Sequence, residues 1–569
     1  MGYYQPDPTN RGDIVFLVLR RMRIPLIVLI SVSAISMLGM VLIPGVDAAG
    51  HPYHMTFFEA FYFVSFMSTT IGFGEVPYAF TATQRFWVAL CIYPAVIAWL
   101  YTFGAILSLM QDKAFRQTLY HNMYARYVHN ILEPFYLVCG YGTSGRQLVH
   151  RLTSENRQCV VIDMNEQIIN ELAIDDLHMY VPGLSADASE SEHLVRAGLK
   201  HPMCRAIAAI TDNDQVNLKI AITSRLLHPE LIVVARSEHR DVTASMHAFG
   251  THHVIDPFEV FAEDMANLLV RPAHFRFQNL LAEQLDPAEL AARASSLRDS
   301  QWILCGFGRF GQAIYKSLTA VGVKVVVVDA FPDKSALPDG SIVASGTQKE
   351  TLIQAGIMSA GGIIAATDDD ADNLSIMMAA KQLNDRVFLV ARQETRNDNA
   401  LFGACGLDMI MQPNYVVVRK AHAWLSMPLL QEFSSDLSII SDAVTESILK
   451  RIEARVPVDE FETWQLEIND YEAPAITGLL EAGREIRLAD LLRDPWHPEQ
   501  TQPYIALFAR QGDSRWMLPG GSQPLQVGMK LLFCGHRTTA WRAALYHKET
   551  LNFTMETVES LEEQRWPVR

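Results

Sequence analysis

The stretch "FYLVCGYGTSGRQLVHRL", Phe135 to Leu152, joins an apolar run of strand length to an amphipathic helix through Gly140, Gly142 and Gly145. Strand, glycine turn and helix in that order predict the first βα unit of a parallel α/β domain. A lone G-x-G-x-x-G is a weak signal, and the residues beyond it decide its meaning. The next apolar run, "QCVVID", ends on Asp163, about 20 residues further on, where an acidic side chain can hold ribose hydroxyls. The glycines allow the backbone close to a phosphate, and the helix start offers unpaired amides. This turn therefore predicts a site for NAD or an ADP/AMP-type nucleotide, two chemistries that share the ribose contact.

The pattern recurs. "WILCGFGRFGQAIYKSL" carries Gly306, Gly308 and Gly311, and "VVVVDA" follows with Asp329, so glycines (140 to 306) and aspartates (163 to 329) repeat at one offset of 166. "AIAAITDNDQVNLKIA" returns as "GIIAATDDDADNLSIM", and "LIVVAR" as "VFLVAR", both at 156 (206 to 362, 231 to 387). Duplication on that scale predicts two doubly wound lobes of about six strands each. Neither loop ends in K-[ST], which argues against a P-loop NTPase. Arg309, inside the second loop, reads either as a contact to a terminal phosphate or as a solvated loop arginine. "TDDDAD" offers Asp368, Asp369, Asp370 and Asp372 as oxygen ligands for calcium, or as acidic caps of the following helix. Histidines 247, 252 and 253 lack a metal-ligand spacing.

Outward from the lobes, composition changes towards the N-terminus. "IPLIVLISVSAISMLGMVLI", Ile24 to Ile43, and "FWVALCIYPAVIAWLYTFGAILSLM", Phe86 to Met110, carry no charge and are each long enough to cross a bilayer of about 30 Å as a helix. A signal peptide is the alternative for the first, but no small-residue cleavage pattern follows it and a second span does. Arg11, Arg20, Arg21 and Arg23 precede the first run, and Lys113 and Arg116 follow the second, which predicts a multi-pass protein of the cell (inner) membrane with both ends in the cytoplasm. Between the spans, "MTFFEAFYFVSFMS", Met55 to Ser68, is apolar yet too short to cross, and predicts a re-entrant helix. It runs into "STTIGFGEVP", Ser68 to Pro77. In the second span Pro94 predicts a bend and Gly104 close helix packing, and either residue is a candidate gating hinge.

Outer helix, short helix, "TTIGFGE" and inner helix together resemble the pore of a potassium channel, whose filter replaces an ion's hydration shell with backbone carbonyls. On that resemblance Thr70, Ile71, Gly72, Phe73 and Gly74 stand where the family has T-V-G-Y-G, with Phe73 lacking the usual hydroxyl and Glu75 keeping a carboxylate at the outer mouth. It implies potassium ions in the filter and a homotetramer around it. The paired lobes resemble RCK domains, which regulate potassium conductance, in the prokaryotic family where a two-span pore precedes two of them. That likeness implies an eight-lobed cytoplasmic ring pulling on the inner helices. It also makes Asp187 and Asp212 adenine or ribose contacts of the first lobe.

The expected organisation is thus a pore segment over 1–110 and a linker over 111–133, followed by a first RCK domain over 134–300 that includes a helical crossover. A second lobe with its crossover helices occupies 301–450, and a small α+β C-terminal subdomain with strands in "TWQLEI", "YIALFAR", "RWMLPGG" and "MKLLFCGH" occupies 451–569. The expected partners are membrane lipid, other copies of the chain and small nucleotides. A formal charge of −16 argues against nucleic acid, which selects basic surfaces. Seven cysteines at 91, 139, 159, 204, 305, 405 and 534 show no C-x-x-C pair, which predicts buried thiols. The glycine loops alone would also suit a membrane-anchored NAD-dependent oxidoreductase, but no acid/base set accompanies either loop in the sequence, so no enzyme is expected.

Overall fold

The computed structural model of the chain describes residues 11–111, 123–282, 287–331, 337–395, 398–456, 461–494, 496 and 500–547. Lys113, Arg116, the 112–122 part of the expected linker and the end of the expected C-terminal segment lie outside the described residues, as do the side chains of Arg11, Arg20 and Arg21. The chain divides into two compact units, Met1–Ile131 and Leu132–Arg569.

The first unit contains three helices that carry its core, α1 (Arg11–Leu42), α2 (Phe57–Ser68) and α3 (Ala82–Gln111). Within α1, Met22–Leu42 is apolar enough to cross a membrane, as is all of α3, and only 17% and 22% of their most apolar windows are buried. Helices of a soluble core would bury most of that surface; these turn it outward, as lipid requires. What they bury holds α2 in place: Met40 of α1 and Cys91 and Ala95 of α3 share a core with Phe63, Val64, Phe66 and Met67. The spans meet closely at Gly39, where a Cβ would lie 2.0 Å from the Trp87 ring. The Trp87 indole donates to the Ser36 carbonyl at 3.2 Å.

The second unit begins with two sheets of one design. In the first lobe β1 (Phe135–Cys139), β2 (Gln158–Asp163), β3 (Gly183–Ser185), β4 (Cys204–Ala209), β5 (Ile232–Arg236) and β6 (His253–Ile255) lie in the order β3-β2-β1-β4-β5-β6. Every pairing is parallel. The second lobe repeats this with β7 (Gln301–Cys305), β8 (Lys324–Asp329), β9 (Ile342–Val343), β10 (Gly362–Ala365), β11 (Phe388–Arg392) and β12 (Met409–Met411), ordered β9-β8-β7-β10-β11-β12. In both, the order reverses between the first and fourth strands, and each glycine turn sits at the carboxyl end of the central strand, beside that crevice.

The lobes exchange helices. Pro257–Val270, which leaves the first lobe, packs on Arg309–Ala320 of the second, with Phe258, Phe261 and Met265 in one core with Phe310 and Ile314. Pro413–Ser426, which leaves the second lobe, packs on Thr143–Ser154 of the first, bringing Val417, Ala421 and Leu425 to Leu148 and Leu152. A separate antiparallel sheet closes the unit, from β13 (Glu462–Glu467), β14 (Tyr504–Gln511), β15 (Ser514–Met517) and β16 (Lys530–Gly535) in the order β13-β16-β14-β15. Six of the seven cysteines are buried and all are free, as expected for packing thiols.

Candidate functional site

In the first unit the candidate site is the loop after α2. Thr56 starts that helix with a capping box: its hydroxyl accepts from the Glu59 amide, and the Glu59 carboxylate accepts the Thr56 amide at 2.8 Å. Tyr53 donates its hydroxyl to the same carboxylate. At the other end the chain stays tied to the helix, with the Ile71 amide donating to the Phe66 carbonyl at 3.0 Å. Thr70, Gly72 and Gly74 then take positive φ of 62°, 66° and 101°. Alternate residues of positive φ are what two glycines in a short loop permit, though Thr70 adopts one without that freedom. Phe73 has no hydroxyl, but its ring lies edge-on to Phe66, 5.5 Å between centroids.

The Glu75 carboxylate is held by its neighbours. Arg85, at the start of α3, holds it with two hydrogen bonds of 2.8 and 3.1 Å, and it also accepts the Phe80 amide at 2.8 Å. Sequence reasoning missed Arg85, whose only signal was an opposite charge ten residues on. In α3 neither candidate hinge interrupts the helix: Pro94 lies inside it, and a Cβ on Gly104 would meet nothing within 4 Å. The packing expected of Gly104 is therefore absent within the described residues of this chain, whereas Gly39 carries it.

In the second unit each glycine turn has its parts in the same places. The Gly140 amide donates to the Ile162 carbonyl at 2.9 Å and Gly306 to Val328 at 2.8 Å, with φ of 97° and 101°. A Cβ on Gly145 would lie 1.9 Å from the Gly140 carbonyl oxygen, and one on Gly311 2.0 Å from that of Gly306, so these glycines let helix and strand touch. Gly142 and Gly308 are different, since a Cβ on either meets nothing within 4 Å. They leave open space above a helix start, where backbone amides face no protein acceptor in their own turn.

Asp163 and Asp329 close both turns alike. Asp163 accepts the Tyr141 amide at 2.7 Å and the Asn165 amide at 2.8 Å; Asp329 accepts those of Phe307 at 2.6 Å and Phe331 at 2.7 Å. Asp187 turns one oxygen to the Ser189 amide at 2.8 Å, and Asp212 is exposed in the turn after β4. Beside the first turn is a set that the sequence did not announce. The Tyr141 hydroxyl donates to Asp175 at 2.8 Å, and Arg146 lies 5.6 Å from the Tyr141 ring with ion pairs to Glu171 and Asp175. Burial, with Asp175 beside it, pushes the Tyr141 phenol above its ordinary range.

Arg309 is half exposed, yet it is paired. Its guanidinium pairs with Glu238 of the first lobe at 3.1 Å and lies 5.4 Å from the Phe258 ring, so the second loop carries a charge that reaches across the lobe boundary. From the other side, Asn414 of the second lobe's departing helix accepts from Ser144 at 2.9 Å and Arg236 at 3.3 Å. Both glycine turns thus look onto the contact between lobes.

The calcium expectation at Asp368, Asp369, Asp370 and Asp372 is not supported. Asp369 caps its helix by accepting the Asp372 amide at 2.9 Å, Asp370 accepts the amides of Glu394 and Thr395 at 2.8 Å each, and Asp368 pairs with Arg392. Among the described residues no group of three His, Cys, Asp or Glu is placed to hold a metal ion. The acidic run serves the helix start and the following loop, which spends its oxygens on backbone amides.

Residues 136–257 and 302–413 match the TrkA-N domain, one match in each parallel lobe, and both follow the two membrane-spanning helices. Among curated proteins, "Probable potassium channel protein 2" of Methanocaldococcus jannaschii is 25% identical over 224 residues, 39% of this chain and 63% of that protein. Potassium channel protein 1 of the same organism is 24% identical over 232 residues, 40% of this chain and 68% of that one. The chain thus matches 63% of the first relative's length. Among solved structures, the GsuK channel bound to NAD aligns with 95% of this chain and 100% of its own at 15% identity and a TM-score of 0.49. GsuK bound to ADP aligns over 72% and 99% at 19% identity and 0.47.

Proposed function

We propose that this chain is one subunit of a potassium-selective channel whose opening is set by a nucleotide held in its TrkA-N lobes. One observation carries the reading: a capped short helix running into Thr70–Gly74 between two outward-facing apolar helices, on the same chain as two open glycine turns. In this reading Thr70, Ile71, Gly72, Phe73 and Gly74 line the ion path, and four copies complete it, since one chain supplies one strand of a filter. Gly140, Gly142, Gly145 and Asp163 hold nucleotide in the first lobe, with Asp187 and Asp212 towards its base and ribose. Gly306, Gly308, Gly311 and Asp329 do so in the second, with Arg309 available to a terminal phosphate. The potassium channels among the matched relatives support this over an oxidoreductase. NAD and ADP, bound in the two GsuK structures, are the ligands to try first. Calcium gains no support from Asp368–Asp372.

A nucleotide opens or closes the pore only by binding one state of the lobes better than the other; a coupling of about 1–3 kcal/mol is typical. The test is current from purified protein in planar bilayers under a potassium/sodium gradient, before and after NAD or ADP is added on the side of the lobes. A reversal potential near that of potassium, with open probability responding to nucleotide, is expected. No selective current would remove the pore reading, and selective current indifferent to both nucleotides would remove the gating.

A further inference from the structure

Where the exchanged helices cross, the duplication carries a reversal of charge. Aligned at the repeat offset of 156, Pro257 falls on Pro413, Glu263 on Arg419 and Asp264 on Lys420, so two adjacent acids in one copy are two adjacent bases in the other. The helices Pro257–Val270 and Pro413–Ser426 pack on each other as well as on the opposite lobe. Arg419 pairs with Asp264, and both side chains are largely buried, at 16% and 13% exposure. The mate of this pair under the pseudo-two-fold that exchanges the lobes is Lys420 with Glu263. These two also sense each other: burial lowers the Lys420 ammonium's pKa while Asp264 and Glu263 oppose the shift, and burial raises Glu263 while Lys420 opposes it.

Each acid–base pair is read differently if two like lobes meet in the same geometry. Two first lobes would set Asp264 against Glu263 twice, and two second lobes would set Arg419 against Lys420 twice. A charge buried without its partner costs several kcal/mol, so a contact tolerant of neither like pairing chooses the unlike one. The apolar neighbours could not do this alone, because hydrophobic contact is not directional.

We propose that Glu263, Asp264, Arg419 and Lys420 are a pairing code, which directs a first lobe onto a second lobe and excludes two lobes of one kind. The surface bearing Glu263 and Asp264 fits a helix with adjacent basic residues at one register, which is the second lobe of this chain or of another copy.

The like contacts are built within one full-length chain by substitution. R419E/K420D gives the crossing the four carboxylates of a first-lobe pair, E263R/D264K the four cations of a second-lobe pair, and the combination of all four restores unlike charges with polarity reversed. Pairing is read as the disulfide yield between thiols introduced at Ser144→Cys and Asn414→Cys, whose side chains meet at 2.9 Å across the lobe boundary. Each one-sided reversal is expected to lower that yield about tenfold or more, a factor small beside the cost of unpaired buried charge. The fourfold variant is expected to recover it. Recovery separates a charge code from damage to folding, since it carries more substitutions than either parent. Undiminished yield in the one-sided variants, or no recovery in the fourfold variant, overturns the proposal. The readout needs no ion current, so it stands or falls apart from the channel reading.

Discussion

At the scale of single residues, glycines that look equivalent in the sequence do opposite work. Gly145 is small because the Gly140 carbonyl occupies the place of its Cβ; Gly142 is small although its own surroundings are empty. Packing explains the first; the second is the N-cap of its helix, a position that glycine suits. Gly145→Ala is therefore expected to lower stability by about 1–3 kcal/mol, the cost of forcing an added methyl into a filled space. Replacing Gly142 and Gly308 together by alanine is expected to cost no more than about 2 kcal/mol, as cap changes do, and to weaken NAD or ADP at least about tenfold. Unfolding curves and calorimetric titration of the full chain check both; unchanged affinity in the double variant would take the phosphates elsewhere. The glycines, Asp163 and Asp329 were legible because each answers a local backbone demand that one residue type meets. Arg309 with Glu238, and Tyr141 with Asp175, were not, because sequence distance hides partners that only the packed lobes bring together.

At the scale of elements, periodicity and repetition predicted well and boundaries less so. The apolar run Ile24–Ile43 falls, as far as Leu42, in a helix that begins at Arg11, because arginine-rich turns continue a helix readily and carry no hydrophobic signal. The short helix expected between the spans forms as Phe57–Ser68, started by the Thr56 box rather than by Met55. The four strands expected near the C-terminus are present, but that β16 lies between β13 and β14 is a fact of pairing that strand patterns do not encode. In the spans the two informative glycines are again distinguishable. Gly39→Ala sets a methyl inside the Trp87 ring, and is expected to destabilise the solubilised protein by about 1–3 kcal/mol. Gly104→Ala meets no atom and gains helix propensity of up to about 1 kcal/mol, so thermal unfolding is expected to shift little or upward. If Gly104, one of the two candidate hinges, serves as one, open probability in the bilayer assay changes in that variant while selectivity stays; unaltered gating would leave Pro94 as the bend to test.

At the scale of the whole second unit, buried titratable groups around the lobe boundary set opposing responses to acid. Burial lowers His253, which stacks on Trp424 of the other lobe at 4.5 Å, to about 4, with His252 adding to the effect. Burial and the charge of Arg271 lower His274 to about 4. Burial raises Asp256 to about 6, against the amides of Phe258 and Glu259 that donate to it as cap of its helix. Between about pH 4 and 6.5 the unfolded chain binds more protons than the folded one at each histidine, so these two make stability rise with pH. Between about 4 and 6 the folded chain binds more at Asp256, so this group makes stability fall as pH rises. Among these three groups, two terms of one sign against one of the other leave a net rise. Asp256→Asn is expected to make stability rise more steeply with pH and His253→Gln with His274→Gln less steeply, by about 2 and about 5 kcal/mol respectively across the window. Unfolding midpoints of the full chain from pH 4.5 to 7 measure the slopes, and the groups common to all variants cancel in the comparison. Parallel slopes in all three proteins would mean that the lobe boundary opens to water in solution, since burial is the largest of the causes that hold these groups from their ordinary values.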